Sequence, residues 1–306
     1  MAITINLVRD WEDIQLDEFK SFIAKWGFES KTLERYLHAQ SGTNQWKELR
    51  EEAVMTWFNY RRSNIPVRPR TLVHNHSLIC PPEVSHGWQM LKSEVTKGID
   101  LTPRLSRKIE NADYKDGMLY DWGFHHFHLG TVFDSKHTQL IQGTAFVLLA
   151  IVDSSKFYPV DFVQHGKWGD KAILEKAIKA FPDRFEPFQL KGITDIACPC
   201  TDENDIMEIR KLGMNSFVKV DDKVYAPPGG GLTMAGTSVM ATMVLDKYRH
   251  QLRKIEDQVQ KHYNSQHHSL EVRLARTSAA DEIVLAEWQY LTETYVIVQT
   301  NSNGHA

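Results

Sequence analysis

Residues 115–167 limit the possible folds of this chain more than any other stretch. They include the string Asp121-Trp122-Gly123-Phe124-His125-His126-Phe127-His128-Leu129-Gly130, where three of the protein's 14 histidines fall within four consecutive positions. An apolar run follows at 144–152, and a third strand-like stretch at 156–165. These segments predict three strands, and the apolar residues of 170–181 recur at the spacing of an amphipathic helix that follows them.

The histidine string is predicted to present two different faces, because successive side chains of a strand point to opposite sides. The faces are Phe124, His126 and His128 on one side and His125, Phe127 and Leu129 on the other. The second face is the more apolar, so we expect it to pack on the core. His126 and His128 are then expected to point towards solvent or a cleft.

The end of the third predicted strand supplies further polar residues. His165 ends this strand, and Asp161 and Val163 share its face by the same alternation. Neighbouring strands lie only about 4.8 Å apart. The side chains of His126, His128, Asp161 and His165 are therefore expected to converge if the strand register allows it.

The chain of 306 residues is longer than a usual single domain, and its patterns predict three parts. Residues 1–64 have the apolar spacing of helices, and 65–182 hold the histidine-bearing sheet and its helix. Residues 183–306 are predicted to contain a hairpin around Asp221-Asp222 and a long helix from Val239 to about Tyr263. The expected fold class is α+β, with a central antiparallel or mixed sheet, a helical N-terminal region and a second α+β unit.

Composition favours a protein of the cytoplasm. The three cysteines, Cys80, Cys198 and Cys200, are an odd number, so no disulfide framework is predicted. The first residues lack the basic and apolar regions of a signal peptide. The longest apolar stretch is shorter than the roughly 20 residues of a spanning helix. We therefore expect a cytoplasmic location and no membrane partner.

The leading prediction for function is metal-independent cleavage of RNA, without a cofactor. Imidazoles can accept and donate protons near physiological pH. His126 and His128 are the predicted acid/base pair, with His165 assisting. Lys115 or Lys167 would stabilise the charge of the phosphorane. The net charge of −3 gives no global basic signal, so an RNA partner would have to meet a local patch.

Two alternatives use other properties of the same sequence. The His-x-His spacing of His126-Phe127-His128 lets both imidazoles of one strand reach a single ion. His165 or Asp161 could complete a three-ligand site of a metal-dependent hydrolase or nuclease.

The second alternative is a non-enzymatic protein-interaction module. In that case Trp46, Trp57 and Phe58 would form part of a docking face on the N-terminal helices. The other interpretation of these aromatic residues is that they form a helical core.

The order of elements in residues 99–182 resembles the toxin fold shared by RelE, HigB and ParE. In that family a helical stretch precedes an antiparallel meander, which here corresponds to the strands at 124–130, 146–152 and 157–165. The resemblance implies an endoribonuclease that acts as a toxin or in phage defence. Its partners would be RNA and a protein such as an antitoxin. The string at 121–129 is also similar to one found in uncharacterised bacterial proteins, which implies no function.

Overall fold

The computed structural model describes residues 3–166, 168–196, 202–263, 270–276, 283–289 and 294–298. Lys167, Cys198 and Cys200 lie outside these ranges. The described helices are α1 (Leu7–Trp26), α2 (Lys31–His38), α3 (Asn44–Ser63), α4 (Ser85–Lys97), α5 (Gly117–Trp122), α6 (Lys171–Ala180), α7 (Pro182–Phe185), α8 (Glu203–Lys211) and α9 (Val239–Tyr263). The described strands are β1 (Ile3–Ile5), β2 (Thr71–Leu72), β3 (His125–His128), β4 (Phe146–Val152), β5 (Lys156–Gln164), β6 (Val218–Val220), β7 (Lys223–Tyr225), β8 (Leu270–Arg276), β9 (Ile283–Gln289) and β10 (Thr294–Val298).

The α+β fold class is confirmed, as are its helical N-terminal region and the helix after the central sheet. The predicted helix at 170–181 is α6, whose first turn is capped by the side chain of Asp170, which accepts from the N–H of Ala172. The predicted hairpin is β6–β7, and the predicted long helix is α9. None of the helices in the described ranges has the length and apolarity needed to cross a membrane. The division into three parts stays a prediction.

The histidines lie in a mixed four-stranded sheet of order β2-β5-β4-β3. Strand β2 runs parallel to β5, and the remaining pairs are antiparallel. We call one side the core face; its buried residues include Phe127, Leu148, Phe157 and Phe162, which share one apolar cluster with residues of α1, α3 and α4. We call the other side the histidine face; it carries His126, His128, Val147, Leu149, Val163 and His165.

The histidine face is less open than the sequence predicted. Val147, Leu149 and Val163 pack in a second apolar cluster with Ile173 and Leu174 of α6. As a result His128 is only 5% exposed, and His126 is half-buried. Of the two expected surroundings, solvent or a cleft, solvent is wrong for the buried His128, whereas the half-buried His126 lines a cavity.

Strand β5 contains one extra residue relative to β4. Leu149 pairs with Asp161, but the next residue, Ala150, pairs with Pro159, so Val160 forms a β-bulge. Proline has no N–H to donate to the ladder, and bulges are a usual place for it in a sheet. The side-chain amide of Asn75 donates to the carbonyl oxygens of Pro159 and Val160, at 2.9 and 3.0 Å. Beyond the end of the short strand β2, this side chain therefore supplies hydrogen bonds to β5 that a neighbouring backbone would otherwise make.

Strand β3 lies at the end of the sheet order, and Arg104 occupies its outer edge. The Nη1 of Arg104 donates to the backbone oxygens of His128 and Gly130, at 3.2 and 3.1 Å. Its Nη2 donates to Oε1 of Glu94 at 2.7 Å. Arg104 is 1% exposed, so a buried, fully paired cation holds the backbone of β3 at His128.

A second four-stranded sheet, of order β1-β8-β9-β10, joins the two ends of the described chain. Strand β1 runs parallel to β8, and its register pairs Ile3 with Leu270. Strand β9 was not predicted from the sequence.

The aromatic residues assigned to a docking face have two different environments. Trp57 and Phe58 are each 5% exposed, and Trp57 stacks on Phe19 of α1 with ring centroids 5.0 Å apart. Their assignment to a docking surface is therefore wrong, because they form the interface between α1 and α3. Trp46 is half-buried, with the guanidinium of Arg50 5.9 Å from its ring centroid.

Candidate metal centre

Three histidines that the sequence places far apart meet on the histidine face. One ligand nitrogen from each of His126, His128 and His165 lies within 4.8 Å of the other two. The ring centroids are 5.9 Å apart for His126 and His128, 6.3 Å for His126 and His165, and 5.5 Å for His128 and His165. We call these three residues the histidine cluster.

Strand alternation places the first two members. Gly123, at φ 79°, ends α5 in the left-handed region that suits glycine, and the chain then enters β3. His126 pairs across the ladder with Leu149, and His128 pairs with Val147. Because these two residues are spaced by two positions, their side chains lie on the same face.

The β-bulge decides the position of the third member. Strict alternation along β5 from Tyr158, which pairs with Ile151, would turn Asp161 and Val163 towards the core face. The extra Val160 reverses the phase, so that Asp161 pairs with Leu149 and Val163 pairs with Val147 on the histidine face. His165 follows in the same phase, and its N–H donates to the oxygen of Ala145 at 2.8 Å.

Asp161 lies on the predicted face but does not belong to the cluster. Its carboxylate accepts from the ammonium group of Lys176 on α6. The predicted convergence thus holds for the three histidines and fails for Asp161, because a lysine of the covering helix is its closer partner.

The ring of Trp168 packs beside two members of the histidine cluster. Its ring centroid lies 4.8 Å from that of His126 and 5.1 Å from that of His165. The backbone oxygen of Trp168 accepts from Nη1 of Arg210, whose Nε donates to Asp121 at 2.9 Å. Trp168 follows His165 by three residues, but the sequence gives no signal for it, because an indole N–H is neither a metal ligand nor an acid/base group.

The imidazoles of His126 and His128 are held neutral near pH 7. Burial, followed by the charge of His165, lowers the pKa of His126 to about 4. Burial, followed by the charges of His126 and His165, lowers the pKa of His128 to about 3. Nε2 of His126 and Nδ1 of His128 are buried and form no hydrogen bond with any described residue. Buried polar atoms of this kind usually have a partner, and a neutral imidazole nitrogen can bind a metal ion.

A cavity of about 220 Å³ adjoins the cluster at His126 and Trp168. Lys115, one of the two predicted charge-stabilising lysines, lines it together with Arg210 and Lys211. The other predicted lysine, Lys167, lies outside the described residues. Arg210 and Lys211 were missed because the end of α8 carries no motif that relates it to β3.

The fold and this geometry define an α+β protein with a candidate three-histidine metal centre on one face of a mixed sheet. Comparisons with protein-family models, with curated proteins and with solved structures found no significant match to this chain. The resemblance to the RelE, HigB and ParE toxins therefore stays a prediction.

Proposed function

We propose that His126, His128 and His165 bind one divalent transition-metal ion, with zinc as the leading choice, and that the protein is a metal-dependent hydrolase. The observation that carries this proposal is the approach of their three ligand nitrogens to within 4.8 Å of one another. Imidazole is a usual ligand of zinc, copper, iron and nickel.

The distances suit such an ion after a small adjustment. Zinc–imidazole bonds of about 2.0–2.1 Å in tetrahedral geometry place the ligand nitrogens about 3.3 Å apart. Because the ligand nitrogens all lie within 4.8 Å of one another, the closure needed is at most about 1.5 Å by this reasoning. Rotation of the exposed side chain of His165 supplies such a movement without disturbing the sheet.

The composition of the ligand set favours catalysis over a structural role. Structural zinc sites are closed by four protein ligands, whereas catalytic sites use three and leave a position for water. Within the described residues, the cluster consists of three histidines and includes neither a cysteine nor a carboxylate. A metal ion with an open position lowers the pKa of bound water to about 7 and so activates it for attack.

The metal-independent ribonuclease stays a prediction, and it makes a different demand on the same residues. It needs one neutral and one protonated imidazole at the same time. The lowered pKa values of His126 and His128 favour two neutral imidazoles, which suits ligands better than an acid/base pair.

The test measures metal content and hydrolysis on the same preparations. The full chain is loaded with zinc, cobalt or manganese, dialysed and assayed for metal by mass spectrometry. Hydrolysis of single-stranded RNA, a phosphate monoester and a carboxylic ester is then followed with and without EDTA. We expect one ion per chain, and hydrolysis that EDTA removes and zinc restores.

Variants separate the possible outcomes. His126→Ala and His165→Ala should lose the ion, whereas His86→Ala, at an exposed histidine of α4, should keep it. RNA cleavage that resists EDTA and is lost in His126→Ala would replace this proposal with the metal-independent ribonuclease. If the folded protein binds no ion and hydrolyses none of these substrates, the non-enzymatic protein-interaction module is the interpretation that remains.

A further inference from the structure

We infer that the proposed metal centre acts on phosphate esters, and that the cavity beside the histidine cluster receives their phosphoryl group. This inference rests on the proposed hydrolase function and adds the substrate class. Its basis is a cavity of about 220 Å³ whose wall combines His126 and Trp168 of the site with three cationic side chains, Lys115, Arg210 and Lys211.

The cations come from two separate parts of the chain, the segment before α5 and the end of α8. Lys115 precedes α5, and its ammonium group donates to the backbone oxygen of Ala235 at 2.9 Å, so a carbonyl fixes it without neutralising its charge. Lys211 is the last residue of α8 and is exposed. Arg210 is 9% exposed, and its guanidinium lies 4.3 Å from the ring centroid of Trp122.

The carboxylates near the cavity do not cancel this positive charge. Asp121 pairs with Arg210 through Nε at 2.9 Å, which leaves the charges of the two lysines. Asp116 is the single acidic residue in the described wall of the cavity, and its Oδ1 accepts from the N–H of Leu119 at 3.0 Å. Two lysines therefore face one carboxylate beside a site that would hold a doubly charged ion.

An anionic group is the chemical complement of this wall. Lysine binds phosphate as a point charge, and cations near a transferring phosphoryl group stabilise the charge of its transition state. The cavity is smaller than the sites of about 300–1,000 Å³ that enclose drug-sized ligands. It can enclose a phosphoryl group and the first atoms of the esterified alcohol, while the remainder of the substrate stays outside.

The reaction balances with water as the sole co-reactant. The oxygen of the activated water forms a bond to phosphorus as the phosphorus–oxygen bond of the ester breaks. One proton of the water goes to the leaving alkoxide, which departs as the alcohol, and the other stays with the inorganic phosphate. In this scheme Lys115 and Lys211 hold the non-bridging oxygens.

The experiment titrates inorganic phosphate into the cobalt-loaded full chain and follows the visible absorption of cobalt. Three proteins are compared: the unchanged protein, the double variant Lys115→Gln/Lys211→Gln, and the control Lys31→Gln/Lys47→Gln at exposed lysines of α2 and α3. We expect phosphate to perturb the cobalt spectrum and to bind at least about tenfold more weakly to the first double variant. Cobalt stoichiometry should be equal in all three proteins.

The two readouts separate the inference from the proposed function. Bound cobalt with no response to phosphate, or equal phosphate affinity in both double variants, would overturn the phosphate assignment and leave the hydrolase. Hydrolysis restricted to carboxylic esters would do the same. If cobalt does not bind, the proposed metal centre is wrong, and calorimetry with the metal-free protein tests the cavity by itself. Phosphate binding that depends on the two lysines would support an anion-binding cavity. The absence of such binding would overturn the phosphate assignment as well.

Discussion

The two faces of the central sheet are made from the same strands but differ in the elements that cover them and in the side chains that they carry. On the core face, Phe127 and Leu148 are fully buried in an apolar cluster shared with the N-terminal helices. On the histidine face, Val147 and Leu149 are equally buried, but three imidazoles lie together there, whereas β3 places one imidazole, that of His125, on the core face. On this face α6 covers the apolar residues, and the histidine cluster, which we propose as the metal centre, lies beside them.

The largest expected effect comes from breaking the core face beside the site. Phe127→Ala should lower the free energy of unfolding of the metal-free protein by about 3–5 kcal/mol, because it leaves a cavity between the sheet and the helices. Urea unfolding followed by circular dichroism measures this change. A loss below about 1 kcal/mol would show that the core face does not carry the stability assigned to it.

A change on the histidine face should have a smaller effect on stability and a large effect on zinc affinity. His128→Ala should lower the stability of the metal-free protein by less than Phe127→Ala does, because removal of a buried nitrogen without a hydrogen-bond partner offsets part of the cost of the cavity. Its affinity for zinc should fall by more than about 100-fold, since even residues that only orient metal ligands contribute 10–100-fold. Competition with a chromophoric chelator measures the affinity. Unfolding of this variant would instead assign His128 to the core.

An intermediate effect is expected at the β-bulge of β5, where the alternation of side chains between the two faces shifts by one residue. Asn75→Asp removes both donors to the carbonyls of the bulge but keeps the acceptor that binds the N–H of Ser77 at 3.0 Å. We expect a loss of about 1–3 kcal/mol in stability and a lower zinc affinity, because His165 depends on the bulge for its direction. Chelator competition and urea unfolding report the two effects. Unchanged zinc affinity would mean that the bulge holds without Asn75.

The smallest effect should come from Asp161→Asn. This change removes an ion pair with Lys176, whose side chain is 60% exposed, and such pairs contribute about 0–1 kcal/mol. Zinc affinity should stay the same, because Asp161 is not in the cluster. Metal analysis and chelator competition check this expectation, and a large loss of zinc would make the aspartate a ligand.

Much of the sheet could be predicted from local patterns. The apolar run of β4, the alternation of β3 and the apolar stripe of α6 are properties of short segments, and each was predicted near its observed position. The site could be predicted only in part. That His126 and His128 share a face follows from spacing, but the approach of His165 depends on register and on one extra residue, Val160.

The missed residues show where local patterns end. Arg210 reaches the site because α8 packs near α5 and places its guanidinium against Asp121. Nothing within a window of sequence reports that contact. The burial of the histidine face does not follow from the sequence either, because the apolar stripe of α6 shows that the helix is amphipathic but not which side of the sheet it covers.

The position of Arg104 has a consequence for how the molecule behaves in a crowded solution. An unprotected edge strand is a template for pairing with a strand of another copy, and inward-pointing charges are one way in which proteins prevent this. By occupying the oxygens of His128 and Gly130, Arg104 withholds acceptors that an incoming strand would need. The side chain that holds the backbone of one proposed ligand therefore also leaves this edge of the sheet less able to pair with a strand of another copy.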